Sequence, residues 1–160
     1  MAATTSQQLQ LFEAVRQGNV SKIEGIFQSG FVHVNAQTES GDTALHLAIL
    51  FGHYQDVVPL LITKNANVNL VNNTKDSPLH MAALKGNIEV AQMLIESGAE
   101  LNAKNNLNMT PFHIAQLKRF DQLSQYLMQK GARNDEKLSA EMEEVFKQLY
   151  VWLQFEFGQP

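Results

Sequence analysis

The chain of 160 residues contains no cysteine, so it can form neither a disulfide nor a thiolate metal site, and it has no thiol nucleophile. It has no run of 18 consecutive apolar residues and no basic, apolar leader, which predicts a soluble cytoplasmic protein that does not insert into a membrane. The net charge of -4 is not gathered into any block of like charges. We therefore expect no nucleic-acid partner.

Apolar residues make up 44% of the sequence and charged residues 18%, a composition typical of a folded chain and not of a disordered one. A chain of this length is long enough for one compact domain or for a short stack of repeats that share a core.

Three similar segments recur along the chain at nearly equal intervals. They are Thr43-Ala-Leu-His46, Ser77-Pro-Leu-His80 and Thr110-Pro-Phe-His113. An alanine follows two positions after each histidine, and a glycine follows six positions after the first two histidines. Gly18 precedes Gly52 by the same interval that separates the first two segments, which indicates an earlier and more divergent copy.

Apolar residues on both sides of these glycines are spaced by three and four positions, which predicts two amphipathic helices in each copy. We expect the second helix of each copy to stop at a residue that tolerates a left-handed backbone. These residues are Gly30, Asn65, Gly98 and Gly131.

The motifs resemble those of the ankyrin repeat, which has a period of about 33 residues and a Thr-Pro-Leu-His-x-Ala signature. The resemblance implies an all-α fold, an ankyrin-repeat solenoid of helix-turn-helix units with short hairpin loops. It places four repeats in residues 1–134, with an N-terminal capping repeat at about 6–36 and further repeats at 37–70, 71–103 and 104–134. Residues 135–160 are predicted to form an amphipathic C-terminal capping helix and a tail.

Some positions depart from the repeat pattern. Lys75 and Asn108 replace the hairpin glycine that is present at Gly41, and Arg119 replaces the glycine between the two helices. Asn accepts a positive φ readily, whereas Lys75 and Arg119 should carry strain or shift the turn. We expect those two turns to be less regular.

The recurring histidines are separated by a whole repeat, roughly 10 Å if the repeats stack as packed helices. Zinc ligands lie about 2 Å from one point, so we expect no metal site and no cofactor. Each imidazole is expected to bond the hydroxyl group three residues before it. Catalytic motifs are absent, which predicts a protein that is not an enzyme. A catalytic alternative would place its active residues after Gly131, where no histidine occurs.

In proteins similar to this one, the hairpin tips and the first helix of each repeat line a concave face. The candidate partner-binding residues carried over from that resemblance are Glu39, Asp42, Leu50, Phe51, Asp76, Leu84, Lys85, Leu107, Met109, Leu117 and Lys118. The leucines at positions 50, 84 and 117 would align as an apolar ridge or, alternatively, lie half-buried between neighbouring first helices.

Within that set we expect four apolar side chains to anchor a segment of another protein, and three carboxylates to steer its basic residues. The anchors are Phe51, Leu84, Leu107 and Met109. The carboxylates are Glu39, Asp42 and Asp76.

The predicted function is that of a non-catalytic protein-protein interaction module, with another protein as its partner. One alternative is a host-directed bacterial or viral effector or inhibitor that acts in the host-cell cytoplasm by the same binding mode. A second alternative is a self-assembling scaffold, although a monomer is favoured. In that case a broad apolar surface in the tail would form a second contact site, because contiguous apolar patches usually mark contact sites. Its residues are Phe146, Tyr150, Trp152, Phe155 and Phe157.

Overall fold

The structure, a computed structural model, describes residues 6–30 and 32–133. Within these residues it contains eight helices and no strand. The helices are α1 (Ser6–Arg16), α2 (Val20–Gln28), α3 (Ala44–Leu50), α4 (Val57–Thr63), α5 (Pro78–Lys85), α6 (Ile88–Glu96), α7 (Pro111–Leu117) and α8 (Asp121–Gln129). This arrangement confirms the predicted all-α solenoid. The predicted C-terminal helix and its aromatic residues lie outside the described residues.

The odd-numbered helices, which we call the inner helices, pack against one another in series, α1 on α3, α3 on α5 and α5 on α7. Each also packs against the even-numbered outer helix that follows it. One continuous core of buried apolar side chains runs from Leu11 in α1 to Leu127 in α8. A single helix pair could not bury its own apolar face, so this stacking stabilises the chain.

Three of the inner helices begin with the same cap. Thr43 precedes α3, and its hydroxyl oxygen accepts the backbone N–H of His46. In return the His46 ring accepts the backbone N–H of Thr43, so histidine takes the role that Glu or Gln has in a capping box. Ser77 with His80, and Thr110 with His113, repeat this arrangement at α5 and α7.

The hairpin tips that lead into these helices share one geometry. The backbone N–H of Thr38 donates to the Asp42 carbonyl at 2.9 Å, and the N–H of Asn72 donates to the Asp76 carbonyl at 3.0 Å. Lys75 has φ of 60°, close to the 79° of its counterpart Gly41. The expectation of a less regular turn at Lys75 is wrong, because the hydrogen bonds across the tip hold the lysine in the left-handed conformation.

The turn at Arg119 is likewise regular. Arg119 has φ of 58°, beside 69° for its counterpart Gly86. Its backbone N–H donates to the Gln116 carbonyl at 3.0 Å, as the N–H of Gly86 does to the Ala83 carbonyl at 3.2 Å. The strain therefore lies in the backbone angle of Arg119 and leaves the shape of the turn unchanged.

The outer helices stop as predicted, because Gly30, Asn65, Gly98 and Gly131 all have positive φ. Beyond these stops, asparagine side chains connect one copy to the next. The Oδ1 atom of Asn35 accepts the backbone N–H of Asn67 at 2.7 Å, and Oδ1 of Asn69 accepts that of Glu100 at 2.7 Å. These bonds keep successive copies in phase, so that equivalent positions of the inner helices fall along one face.

Candidate partner-binding face

The C-terminal ends of the inner helices and the hairpin tips carry the residues that were predicted to bind a partner, and we call this surface the binding face. Leu84, near the end of α5, is 39% exposed, whereas its counterparts Leu50 and Leu117 are partly buried against the core. The predicted ridge of three leucines is therefore open to solvent mainly at Leu84. Leu50 and Leu117 instead fit the alternative, in which the leucines are half-buried between neighbouring inner helices.

Phe51, at the C-terminal end of α3, is the largest exposed apolar side chain of the binding face. It is 48% exposed. The guanidinium carbon of Arg16 lies 5.7 Å from the centroid of the Phe51 ring, a distance at which cation and ring attract each other. Arg16 therefore helps to hold the ring in a fixed position at the surface.

A cleft of about 630 Å³ opens between α1 and the first hairpin tip. It is lined by Leu9, Phe12, Glu13, Arg16, Thr38, Glu39 and Ser40. Glu39 was predicted to contact a partner, but Leu9, which is 59% exposed, and Arg16 were not. Arg16 could have been predicted from the repeat alignment, since it lies one repeat before Leu50, a predicted binding residue.

Two lysines occupy the opposite end of the binding face. Lys85 and Lys118 are the counterparts of Phe51 in the next two copies. Lys85 is exposed, and Lys118 is partly buried. Burial of the Lys118 ammonium, followed by the positive charge of Lys85, lowers the pKa of Lys118. The two charges therefore lie close enough to repel each other.

Met109 departs from its predicted role as a surface anchor. Its side chain is only 6% exposed and belongs to the apolar core. The residue directly precedes the cap of α7, and its backbone N–H donates to Oδ1 of Asn105 at 3.0 Å. At this position an apolar side chain turns inward, so the prediction of an exposed anchor is wrong. Leu107, two residues earlier, is 50% exposed, so its role as an anchor stays a prediction.

The carboxylates of Asp42 and Asp76 are engaged within the hairpins. Oδ2 of Asp42 accepts the Ser40 hydroxyl at 2.6 Å, and its Oδ1 accepts the Asn72 amide at 2.9 Å. Oδ2 of Asp76 accepts the Thr74 hydroxyl at 2.6 Å in the same way. Both residues therefore stabilise the tips, and Asp42 also links neighbouring hairpins.

The imidazoles lie behind the binding face and link copies. Nδ1 of His46 lies 2.8 Å from the Thr43 hydroxyl, as predicted. Its Nε2 lies 3.0 Å from the Asp76 carbonyl of the next copy, which can only accept, so Nε2 carries the proton. His80 makes the same pair of contacts with Ser77 and the Met109 carbonyl.

Burial, the largest effect, lowers the pKa values of His46 and His80, and nearby carbonyls and carboxylates raise them by less. The neutral imidazoles thus use both ring nitrogens in structural hydrogen bonds, which leaves neither available for proton transfer. Among residues 6–30 and 32–133, no group of three or more His, Cys, Asp and Glu side chains is placed to hold a metal ion.

His113 is bonded on one side only. Its Nδ1 lies 3.0 Å from the Thr110 hydroxyl, matching the two earlier copies. Its Nε2 is buried and has no hydrogen-bond partner within the part of the chain that the structure describes. Within the described residues, the hydrogen bonds from a histidine Nε2 to a carbonyl of the next copy are therefore those of His46 and His80.

These stacked helix pairs, with capped inner helices and hairpin tips on one side, define a helical repeat protein. A family model of ankyrin repeats in three copies matches residues 11–105 and 56–138. The chain belongs to the ankyrin-repeat family.

Three curated relatives illustrate how widely this unit is used. The chain is 38% identical to a transient receptor potential cation channel subfamily A member 1 homolog of Caenorhabditis elegans, over 46% of this chain and 6% of the relative. It is 33% identical to an ankyrin repeat protein of fowlpox virus, over 48% of this chain and 18% of the relative. It is 34% identical to the human Notch-regulated ankyrin repeat-containing protein, over 49% of this chain and 70% of the relative. The chain thus spans a small part of the first two relatives and over two thirds of the third.

Ankyrin repeats are generally protein-protein interaction modules and, as a family, are generally non-catalytic. Across residues 6–30 and 32–133, none of the helices has the length and apolar character needed to cross a membrane.

Proposed function

We propose that the chain is a non-catalytic, cytoplasmic module that binds a partner protein through the binding face. The observation that carries this proposal is the exposed Phe51 ring, which lies against Arg16, together with the exposed Leu84 on the neighbouring inner helix. Aromatic side chains that are fixed in place contribute much of the affinity of protein interfaces, since little conformational entropy is lost when they bind. An apolar centre with a charged rim is the usual composition of such an interface.

The hairpin tips extend this surface. Leu107 and Val71 are exposed at the third and second tips, and Glu39 borders the cleft at the first. The tips are also joined to one another by hydrogen bonds, such as that from the Asn106 N–H to the Thr74 carbonyl of the preceding tip at 2.9 Å. A surface with so many internal bonds changes shape little on binding, which favours recognition by a preformed face.

The test is affinity purification with the wild-type chain beside Phe51→Ala, followed by measured affinity for each captured protein. The matched control variant is Met128→Ala, which truncates an exposed apolar residue of an outer helix. We expect Phe51→Ala to weaken binding by about 1 to 2 kcal/mol and Met128→Ala to leave it unchanged. Equal affinity of the wild type and Phe51→Ala would refute this placement.

The tail provides a second candidate function, self-assembly. Phe146, Tyr150, Trp152, Phe155 and Phe157 give the segment an apolar composition that is unusual for an exposed surface. A host-directed effector or inhibitor would use the binding face in the same way as an adaptor, so the binding assay applies to both.

A further inference from the structure

The charged side chains of the binding face are divided between its two ends. Residues 6–16 and 37–51, which hold the first two inner helices and the first hairpin tip, contain Glu13, Arg16, Glu39 and Asp42. Residues 71–85 and 104–118, which hold the next two, contain Lys75, Lys85, Lys104, Lys118 and Asp76. The first half is thus acidic and the second half basic.

The single carboxylate of the basic half, Asp76, is outnumbered by four lysines and is held within the hairpins. Both oxygens of Asp76 accept hydrogen bonds, from the Thr74 hydroxyl at 2.6 Å and from the Asn105 amide at 2.8 Å. Lys85 and Lys118 carry like charges at the ends of neighbouring inner helices, and the repulsion between them adds to burial in lowering the pKa of Lys118. An anion placed between the two ammonium groups would relieve that repulsion, so this end of the face favours carboxylates.

The apolar part of the face lies directly beside these lysines. Phe51 occupies the position on α3 that Lys85 occupies on α5, and Leu84 precedes Lys85. Neighbouring packed helices are about 8 to 10 Å apart, and an extended chain advances about 3.3 Å per residue. A bound extended segment would therefore pass from Phe51 to Lys85 in about three residues and reach Lys118 in about six.

We propose that the binding face recognises one acidic and apolar segment of its partner protein, in a single direction. An apolar side chain of the segment lies on Phe51, and carboxylates about three and six residues further on lie on Lys85 and Lys118. The reversed direction is disfavoured, since it would place those carboxylates in the acidic half, near Glu13 and Glu39. The single basic residue of that half, Arg16, lies over the Phe51 ring. This inference rests on the proposed function and names the chemistry of the partner.

The experiment uses a library of random peptides displayed on phage, each long enough to span three inner helices, selected on the full chain at low salt. Enriched peptides are synthesised, and their affinities are measured for the wild type, for Phe51→Ala and for the double variant Lys85→Glu/Lys118→Glu. A matched control, Lys22→Glu/Lys130→Glu, makes the same change in net charge at exposed lysines of the outer-helix side.

We expect the enriched peptides to combine an apolar residue with Asp or Glu about three and six positions away. Their affinity should fall about tenfold or more in Lys85→Glu/Lys118→Glu, weaken as salt is raised, and stay within about twofold of wild type in the control. Peptides that require Phe51 but show no excess of acidic residues, and no loss in the lysine variant, would overturn this inference alone. Two results would overturn the proposed function as well. One is failure to enrich any peptide, and the other is enriched peptides that bind Phe51→Ala as tightly as the wild type.

Discussion

At the scale of single residues, the buried imidazoles of His46 and His80 make the stability of the chain depend on pH. The folded state lowers their pKa values below the ordinary 6.5, chiefly through burial. Below pH 6.5 the unfolded chain therefore binds more protons than the folded chain, and stability falls as the pH falls. The contribution of the neutral imidazoles to stability is fully present above pH 6.5. It is lost progressively as the pH falls from 6.5 towards the lower pKa values of the folded state.

We expect the free energy of unfolding in urea to decrease between pH 7 and pH 5 by up to about 1.4 kcal/mol per pH unit for each imidazole. A stability that stays constant or rises over this range would contradict the assignment of neutral, buried imidazoles.

Met109 and Phe51 should respond in opposite ways to replacement by alanine, because one is buried and the other exposed. Met109→Ala removes core packing and should lower the free energy of unfolding by about 2 to 3 kcal/mol. Phe51→Ala should change it by less than about 0.5 kcal/mol. Thermal melting of the two variants decides the matter, and a stable Met109→Ala beside an unstable Phe51→Ala would reverse our placement of these side chains.

At the scale of helices and turns, the left-handed backbone conformations of Lys75 and Arg119 lower the stability of the folded chain. Their φ values are 60° and 58°, in a region where a side chain costs about 1 kcal/mol or more relative to glycine. Glycine also makes the unfolded chain more flexible, which offsets part of the gain.

We therefore expect Lys75→Gly and Arg119→Gly each to raise the free energy of unfolding by up to about 1 kcal/mol. Lys64, the residue after α4, has φ of −86°, so Lys64→Gly relieves no strain in the folded state and should destabilise the chain. Urea denaturation of the three variants measures the difference. Destabilisation of all three to a similar extent would show that the strain at Lys75 and Arg119 is negligible.

The period in the sequence was sufficient to locate the helix pairs, the capping histidines and the left-handed stops, because each depends on local hydrogen bonding that recurs with the motif. It could not determine the direction of side chains at equivalent positions. Met109 and Asp76 align in register, but a methionine turns into the core where an aspartate bonds the hairpin. The exposure of Leu84 beside the partial burial of Leu117 likewise depends on what each neighbouring copy packs against it.

At the scale of the whole molecule, the tail decides between a monomeric module and a self-assembling scaffold. We expect light scattering of the full chain to give its monomer mass of 17.9 kDa, and the chain without residues 151–160 to be monomeric as well. A larger assembly that dissociates on this truncation would favour the scaffold.

The charge division of the binding face is also a property of the whole molecule, since no single copy contains both the acidic and the basic end. A peptide that fits this surface must therefore contact at least two neighbouring copies at once. Binding should stabilise the stack, because the folded chain binds the peptide and the unfolded chain does not.

The most direct test of this account is nuclear magnetic resonance of the isotope-labelled chain during titration with a phage-selected peptide. We predict that the largest changes in backbone amide shifts occur near Phe51, Leu84, Lys85 and Lys118, and that the outer helices change little. Changes concentrated on α2, α4 and α6, with the binding face unaffected, would contradict the central claim that the inner helices and hairpin tips hold the partner.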